Sequence, residues 1–152
     1  RHLHHALCAE IVVIPWDMSD PCGHADGMVA PLDDGRLLLN NYAQDKKSKD
    51  FCKRLHKILD AHFEVVDLSF DCKPDPDSWC YLNFVNLPNA ILLPALSEGF
   101  DCVNDKEAVR VMQGLFPNKQ IVPIYARPLI KEGGALHCVT WEYVPTKQQV
   151  VP

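Results

Sequence analysis

The chain has 152 residues, a formal net charge of −5, and 47% hydrophobic and 23% charged residues. This length and hydrophobic content are typical of a single globular domain with a sizeable core. The pI is near 5.7 and no basic block is present, so we expect neither nucleic acid nor a membrane surface as a partner. No apolar run approaches the ~20 residues that a membrane span needs.

The N-terminal part is predicted to contain one lone strand. Residues 1–10 include "RHLHH" and are left out of the fold prediction as a stub or tag remnant. The run "EIVVIPWD", at 10–17, is too short for a membrane span and carries Glu10, so we predict a buried strand.

A first strand, strand, helix, strand unit follows. In "GMVAPLDDGRLLLNNY" two apolar runs are joined by Asp-Asp-Gly, which is a strong hairpin turn signal. The segment "KDFCKRLHKILDAH" places apolar side chains on one helical face and cations on the other. The predicted elements are strands near 27–33 and 36–42, a helix near 48–61 and a strand near 63–69.

The same order then repeats after a proline-containing loop, "DCKPDPDSW". The predicted elements are strands near 80–86 and 90–95, a helix near 105–115 and a strand near 120–125. The run "LHCVTWEYV" is rich in β-branched and aromatic residues and predicts a last lone strand. Two ββαβ units with an odd strand at each end indicate an α/β fold, with residues 11–145 as the domain and 146–152 as a tail.

The seven cysteines are irregularly spaced and form no CxxC pair. This pattern argues against a structural zinc site and against a disulfide framework. We therefore expect reduced thiols and a cytoplasmic location. Of the histidines outside the stub, His56 and His62 fall on or beside a predicted helix and are interpreted as structural, which leaves His24 and His137 for chemistry.

A loop, "DPCGHADGMV", stands directly before the first hairpin. His24 and Asp26 alternate around Ala25, so in an extended segment their side chains point the same way. Such a pair suits proton transfer and cation binding. The alternative is a turn in which Asp26 caps its own backbone and His24 is solvated.

The stretch "EGGALHCV" enters the last predicted strand through Gly133 and Gly134. Cys138 is either a buried cysteine after a turn or a reactive thiol beside a flexible loop. Together with His24 it suggests a Cys-His pair with a thiolate nucleophile. His137 is a rival for this role, but on a strand its side chain leaves the face opposite Cys138.

Four motifs carry a resemblance to a known family: "GHADG", "YLNFVNLPNAILLPAL", "VMQGLFPNKQIVPI" and "EGGALHCVT". In this order they are similar to the C-terminal half of the agmatine deiminase and bacterial-type peptidylarginine deiminase family. That family belongs to the guanidino-group-modifying superfamily, whose fold is a propeller of five ββαβ units. The resemblance covers residues 11–144 and implies that about two of the five units are present.

The resemblance also implies roles for individual residues. Cys138 matches the nucleophile that attacks the guanidinium carbon, through a covalent thiouronium intermediate. His24 matches the histidine that protonates the departing ammonia, and Asp26 matches a carboxylate that binds the guanidinium nitrogens. Further family positions are Gly133 and Gly134 ahead of the nucleophile and Asn83 in the "YLNF" segment. The implied ligand is a small guanidino substrate such as agmatine, or an arginyl peptide, and neither a metal nor an organic cofactor is required.

The family's second guanidinium-binding acid and its capping loop have no counterpart in this sequence. Cys22 also stands where the family often has an acidic residue or threonine, which affects specificity. We expect a fragment that pairs with a missing N-terminal half or with another copy, rather than a natural half-length relative. The alternatives are a degenerate, non-catalytic binding domain and, with less agreement, a cysteine peptidase or acyl transferase.

Overall fold

The computed structural model describes residues 2–141 and Tyr143. In chain order the helices and strands are α1 His2–Leu7, β1 Val29–Pro31, β2 Leu37–Leu39, α2 Lys49–Leu59, β3 Val65–Asp67, β4 Val85–Asn86, β5 Ala90–Ala95, α3 Val103–Leu115, β6 Gln120–Tyr125 and α4 Arg127–Lys131. Four 3₁₀ helices lie between them at Ala25–Gly27, Tyr42–Gln44, Ser78–Leu82 and His137–Val139. Among these residues, the structure contains no helix with the length and hydrophobicity of a membrane span.

The first unit is a three-stranded sheet with the order β1-β2-β3. β1 and β2 form an antiparallel hairpin whose turn contains Gly35 with φ of +86°. This left-handed backbone explains the glycine at that position. α2 then crosses over, and β3 returns parallel to β2 with Leu37 opposite Val65. The predicted ββαβ order of this unit is confirmed.

The second unit repeats this topology in the order β4-β5-β6. β4 and β5 are antiparallel, α3 crosses over, and β6 pairs in parallel with all six residues of β5. Asp105, buried at 1% exposure, accepts hydrogen bonds from the backbone of Leu96 and Ser97 and from the Tyr81 hydroxyl. This network fixes the start of α3 against the end of β5. The predicted order of the second unit is confirmed as well, and the fold is α/β.

The apolar core consists of two clusters. The larger one is shared by the two units, since it includes Ala30 and Leu38 of the first sheet together with Ile91, Met112 and Phe116 of the second unit. The smaller one lies between α2 and the first hairpin and consists of Met28, Leu37, Leu39, Tyr42, Cys52, Leu55 and Leu59.

Three predicted strands are wrong in whole or in part. Residues 10–17 form no strand, and Val13 and Trp16 in this segment are exposed at 78% and 54%. The segment predicted as a strand near 80–86 begins as a 3₁₀ helix, Ser78–Leu82, and only Val85–Asn86 pairs. Its side chains at 80–82 are buried in the larger core, so their apolar character does not require a sheet.

The last predicted strand is a 3₁₀ helix where the structure describes it, His137–Val139. The backbone N–H groups of His137 and Cys138 bond to the carbonyl and side-chain oxygens of Asn83 instead of a strand ladder. Positions 142 and 144–152, which include the predicted tail, lie outside the described residues.

Candidate active site

Asp26 is the centre of a cluster built from three distant parts of the chain. It lies in the 3₁₀ helix Ala25–Gly27, directly before β1. Its Oδ2 atom lies 2.8 Å from Asn83 Nδ2, 2.8 Å from His137 Nδ1 and 3.3 Å from Cys138 Sγ. The structure therefore brings the thiol of Cys138, the carboxylate of Asp26 and the amide of Asn83 into one site.

Asn83 positions the segment that carries Cys138. Its side chain is buried at 1% exposure and follows the 3₁₀ helix Ser78–Leu82. Its Oδ1 accepts a hydrogen bond from the Cys138 N–H at 3.2 Å, and its carbonyl accepts one from the His137 N–H at 3.1 Å. Its Nδ2 also lies 3.3 Å from Cys138 Sγ. One buried amide thus holds both the backbone and the sulfur of Cys138.

The surroundings of Asp26 favour its charged form. Partial burial disfavours the carboxylate, but hydrogen bonds from His137, Cys138 and Asn83 outweigh this effect and hold the pKa of Asp26 below its ordinary value. Asp26 is therefore an anion at neutral pH. A carboxylate beside an exposed thiol is suited to hold a cation against an attacking sulfur.

The two glycines before Cys138 are required for different reasons. Gly133 has φ of +90°, a left-handed conformation that other residues rarely adopt. A Cβ atom on Gly134 would lie 3.0 Å from Cys138 Cβ and 3.4 Å from its sulfur. Gly134 therefore leaves the space in which the side chain of Cys138 sits.

His24 makes a different contact from the predicted one. Its Nδ1 lies 3.2 Å from Asp20 Oδ2, and within the described part of the chain no hydrogen bond or ion pair joins it to Asp26 or Cys138. The loop is closed by Asp20, which accepts hydrogen bonds from the backbone N–H groups of Cys22 and His24. The alternative interpretation placed a turn at Asp26, but the residue that closes the turn is Asp20.

The predicted orientation of His137 is wrong. On a strand it would leave the face opposite Cys138, but in the 3₁₀ helix both side chains reach Asp26. The predicted alternation of His24 and Asp26 also fails, because Ala25–Gly27 is helical and not extended. The contact between Asp26 and His137 was missed for this reason. The contact between Asp20 and His24 could have been predicted from their Asp-x-x-x-His spacing.

A cleft of about 630 Å³ lies against one side of this site. His24 and Gly133 line it, whereas Asp26, Asn83 and Cys138 do not. The lining also includes the acidic residues Asp17, Asp20, Asp45 and Asp75, with Lys73 as its one lysine. An acidic cleft beside a carboxylate and a thiol favours a cationic ligand.

Comparison with known proteins gives one consistent result. A family model described as Porphyromonas-type peptidyl-arginine deiminase matches residues 2–144. The Mycoplasma capricolum protein named "Putative agmatine deiminase" is 27% identical over 156 residues, which cover 96% of this chain and 40% of the relative.

Solved structures have the same arrangement of elements. The Porphyromonas gingivalis protein named "Putative Arginine Deiminase" matches with a TM-score of 0.60 at 28% identity, over 80% of this chain and 38% of the other. The C. jejuni agmatine deiminase matches with a TM-score of 0.64, over 90% of this chain and 44% of the other. At 19% identity, this likeness supports a common fold and nothing more. The chain spans about two fifths of the length of these relatives.

Proposed function

This chain belongs to the Porphyromonas-type peptidyl-arginine deiminase family, and from this premise we propose that it supplies the nucleophilic part of a guanidinium C–N hydrolase. The observation that carries the proposal is the contact of Asp26 with Cys138 at 3.3 Å. It pairs a group that binds a guanidinium cation with a group that attacks its carbon.

The proposed reaction begins with the thiolate of Cys138. Its sulfur forms a bond to the guanidinium carbon. One terminal nitrogen then accepts a proton, its C–N bond breaks, and it leaves as ammonia. His24 donates that proton and then removes one from water. The resulting hydroxide attacks the same carbon, and the C–S bond breaks to return the thiolate. The hydroxyl proton is released and taken up by ammonia, and the product is a ureido compound. The net reaction consumes one water and releases one ammonium ion.

His24 is proposed for the proton transfers because it lines the cleft. Asp20 binds Nδ1 and thereby orients the ring, so Nε2 is the nitrogen assigned to the substrate. His137 is assigned a different part, since its Nδ1 lies 2.8 Å from Asp26 and so fixes the carboxylate. A peptidase-type Cys-His pair has less support, because the neighbours of the Cys138 sulfur are a carboxylate and an amide.

We further propose that a polyamine-like guanidino compound such as agmatine is preferred over free arginine. The cleft beside His24 and Gly133 contains four aspartates, and a second ammonium group on the substrate would be attracted by them. The α-carboxylate of arginine would be repelled. An arginyl peptide lacks that negative charge and is the intermediate case.

The proposed active form includes polypeptide beyond these two units. A guanidinium ion has more N–H donors than Asp26 alone can bind, and each unpaired buried donor costs about 1–3 kcal/mol. A factor of ten in rate corresponds to about 1.36 kcal/mol, so the loss of an opposing carboxylate costs several powers of ten. Exposed Val139 and Trp141, beside Cys138, give an apolar surface for the remaining units of a five-unit propeller.

The test is release of ammonia and ureido product from agmatine, arginine and an arginyl peptide. It compares this chain alone, the full gene-encoded polypeptide, and that polypeptide with Cys138→Ser. We expect turnover only in the unaltered full polypeptide, with agmatine the best substrate. Turnover by this chain alone contradicts the proposal that the site is incomplete, and activity that survives Cys138→Ser contradicts the proposed nucleophile.

A further inference from the structure

A second group of reactive side chains lies between α2 and β3, and the proposed reaction makes no use of it. Cys52 and His56 are four residues apart in α2 and so share one helical face. Asp67 ends β3 and faces them. His56 Nε2 lies 3.1 and 3.2 Å from the two Asp67 oxygens, and Cys52 Sγ lies 3.9 Å from Asp67 Oδ1.

The separations of these three atoms are close to those of metal ligands. Sulfur, nitrogen and oxygen all lie within 4.8 Å of one another. In a tetrahedral zinc site with bonds of about 2.0–2.3 Å, ligand atoms are about 3.3–3.8 Å apart. Small movements of the side chains would therefore bring all three into contact with one ion.

The other ring nitrogen of His56 has a carboxylate partner, as is common for metal-bound histidines. His56 Nδ1 lies 3.1 Å from Asp60 Oδ1. A carboxylate on the far nitrogen fixes the ring so that Nε2 faces the metal. If His56 served only to form an ion pair, one of the two aspartates, Asp60 or Asp67, would be sufficient. The buried thiol of Cys52 would have no part in such a pair.

We propose that Cys52, His56 and Asp67 bind one zinc-class divalent cation, with Asp60 positioning His56. On binding, the Cys52 thiol releases its proton to solvent and the sulfur binds as thiolate. The absence of a CxxC pair had argued against zinc, but a Cys-x-x-x-His pair on a helix with a carboxylate from the adjacent strand supplies three ligands. A water molecule completes the four-coordinate shell.

The experiment titrates the 152-residue chain with Co²⁺ and then displaces it with Zn²⁺. Cobalt bound to thiolate gives a sulfur-to-metal charge-transfer absorption, which reports the cysteine directly. We expect one cobalt per chain and displacement by one zinc. Cys52→Ser should abolish the absorption. The positioning variant Asp60→Asn should weaken binding by about 10–100-fold, and the ligand variants His56→Gln and Asp67→Asn at least as much.

Cys22→Ser is the matched control, because Asp20, Cys22 and His24 form the other group with similar spacing among the described residues. The proposal predicts that this variant keeps the absorption and the affinity. Circular dichroism of each variant without metal separates a lost ligand from a lost fold. The proposal is overturned if no stoichiometric binding occurs at millimolar metal, or if Cys22→Ser loses the absorption while Cys52→Ser retains it.

Discussion

The sulfur of Cys138 lies 3.3 Å from Oδ2 of Asp26, although 112 positions separate the two residues in the chain. Asn83 bridges them, because its Nδ2 contacts both atoms. A cation bound to Asp26 is therefore held within reach of the thiol. This relationship determines how the site should respond to charged reagents and to substitution.

Cys138 should react faster with a cationic electrophile than with a neutral one of the same shape. We expect 2-chloroacetamidine to modify it at least about fivefold faster than 2-chloroacetamide, since a nearby carboxylate contributes on the order of 1 kcal/mol or more. Asp26→Asn should remove most of this preference. Peptide mass spectrometry measures both rates, and exposed Cys8 is the internal control. Equal preference at Cys8 and Cys138 argues against a cation site at Asp26.

Asn83→Ala should lower both stability and the reactivity of Cys138. The substitution removes the side-chain acceptor of the Cys138 N–H and a donor to Asp26, at a cost of about 1–3 kcal/mol in the free energy of unfolding. Asn118→Ala, at an exposed position, is the control. The measurements are urea unfolding and the chloroacetamidine rate. A loss of stability with an unchanged rate would limit Asn83 to a structural role.

The two histidines should affect different kinetic constants in the full polypeptide. His24→Ala should lower kcat by about 10²–10⁴-fold, since it removes the proposed proton donor. His137→Ala should act mainly on KM, because His137 contacts the carboxylate that binds substrate. Steady-state kinetics with agmatine separates these outcomes. If His137→Ala gives the larger loss of kcat, the proton-transfer role belongs to His137.

Asp105 should make the fold sensitive to acid. Burial disfavours its charged form, but hydrogen bonds from Ser97, Leu96, Cys102 and Tyr81 hold its pKa below the ordinary value of 3.8. A lowered folded-state pKa contributes stability above pH ~4 that is lost as the pH falls through the folded pKa.

Asp105→Asn should therefore lower the free energy of unfolding by about 1–3 kcal/mol at neutral pH and flatten its decline in acid. Urea midpoints at pH 7 and at about pH 2.5, which lies well below the ordinary carboxyl pKa, measure both effects. Asp101→Asn, at an exposed neighbouring position, is the control and should retain the acid dependence. The same acid dependence in both variants would show that another group is responsible.

Local patterns were sufficient for the two ββαβ units. The turn at Gly35 and the amphipathic spacing of α2 are determined by neighbours in the sequence, and both elements formed as predicted. The run from 136 onward has the composition of a strand, but the backbone N–H groups of His137 and Cys138 bond to Asn83, more than 50 positions away. No local pattern reports such a bond, so the predicted strand was wrong.

The candidate site could be predicted in part. Motifs identified Cys138, Asp26 and Asn83, which the structure brings together. The predicted orientation of His137 was wrong, because it depended on a strand where the structure has a 3₁₀ helix. The pairing of His24 with Asp20 depends on a turn whose hydrogen bonds run through the backbone of 22 and 24, and residue types alone do not determine which aspartate closes it.

The most direct test of the proposed mechanism is whether a covalent intermediate forms on Cys138. The full polypeptide is mixed with agmatine, quenched in acid during turnover, and digested for mass spectrometry. We expect the peptide containing Cys138 to gain the mass of agmatine minus ammonia, and we expect Cys138→Ser to show no adduct and to release no ammonia. Steady ammonia release by Cys138→Ser, or an adduct on a different cysteine, would rule out Cys138 as the nucleophile.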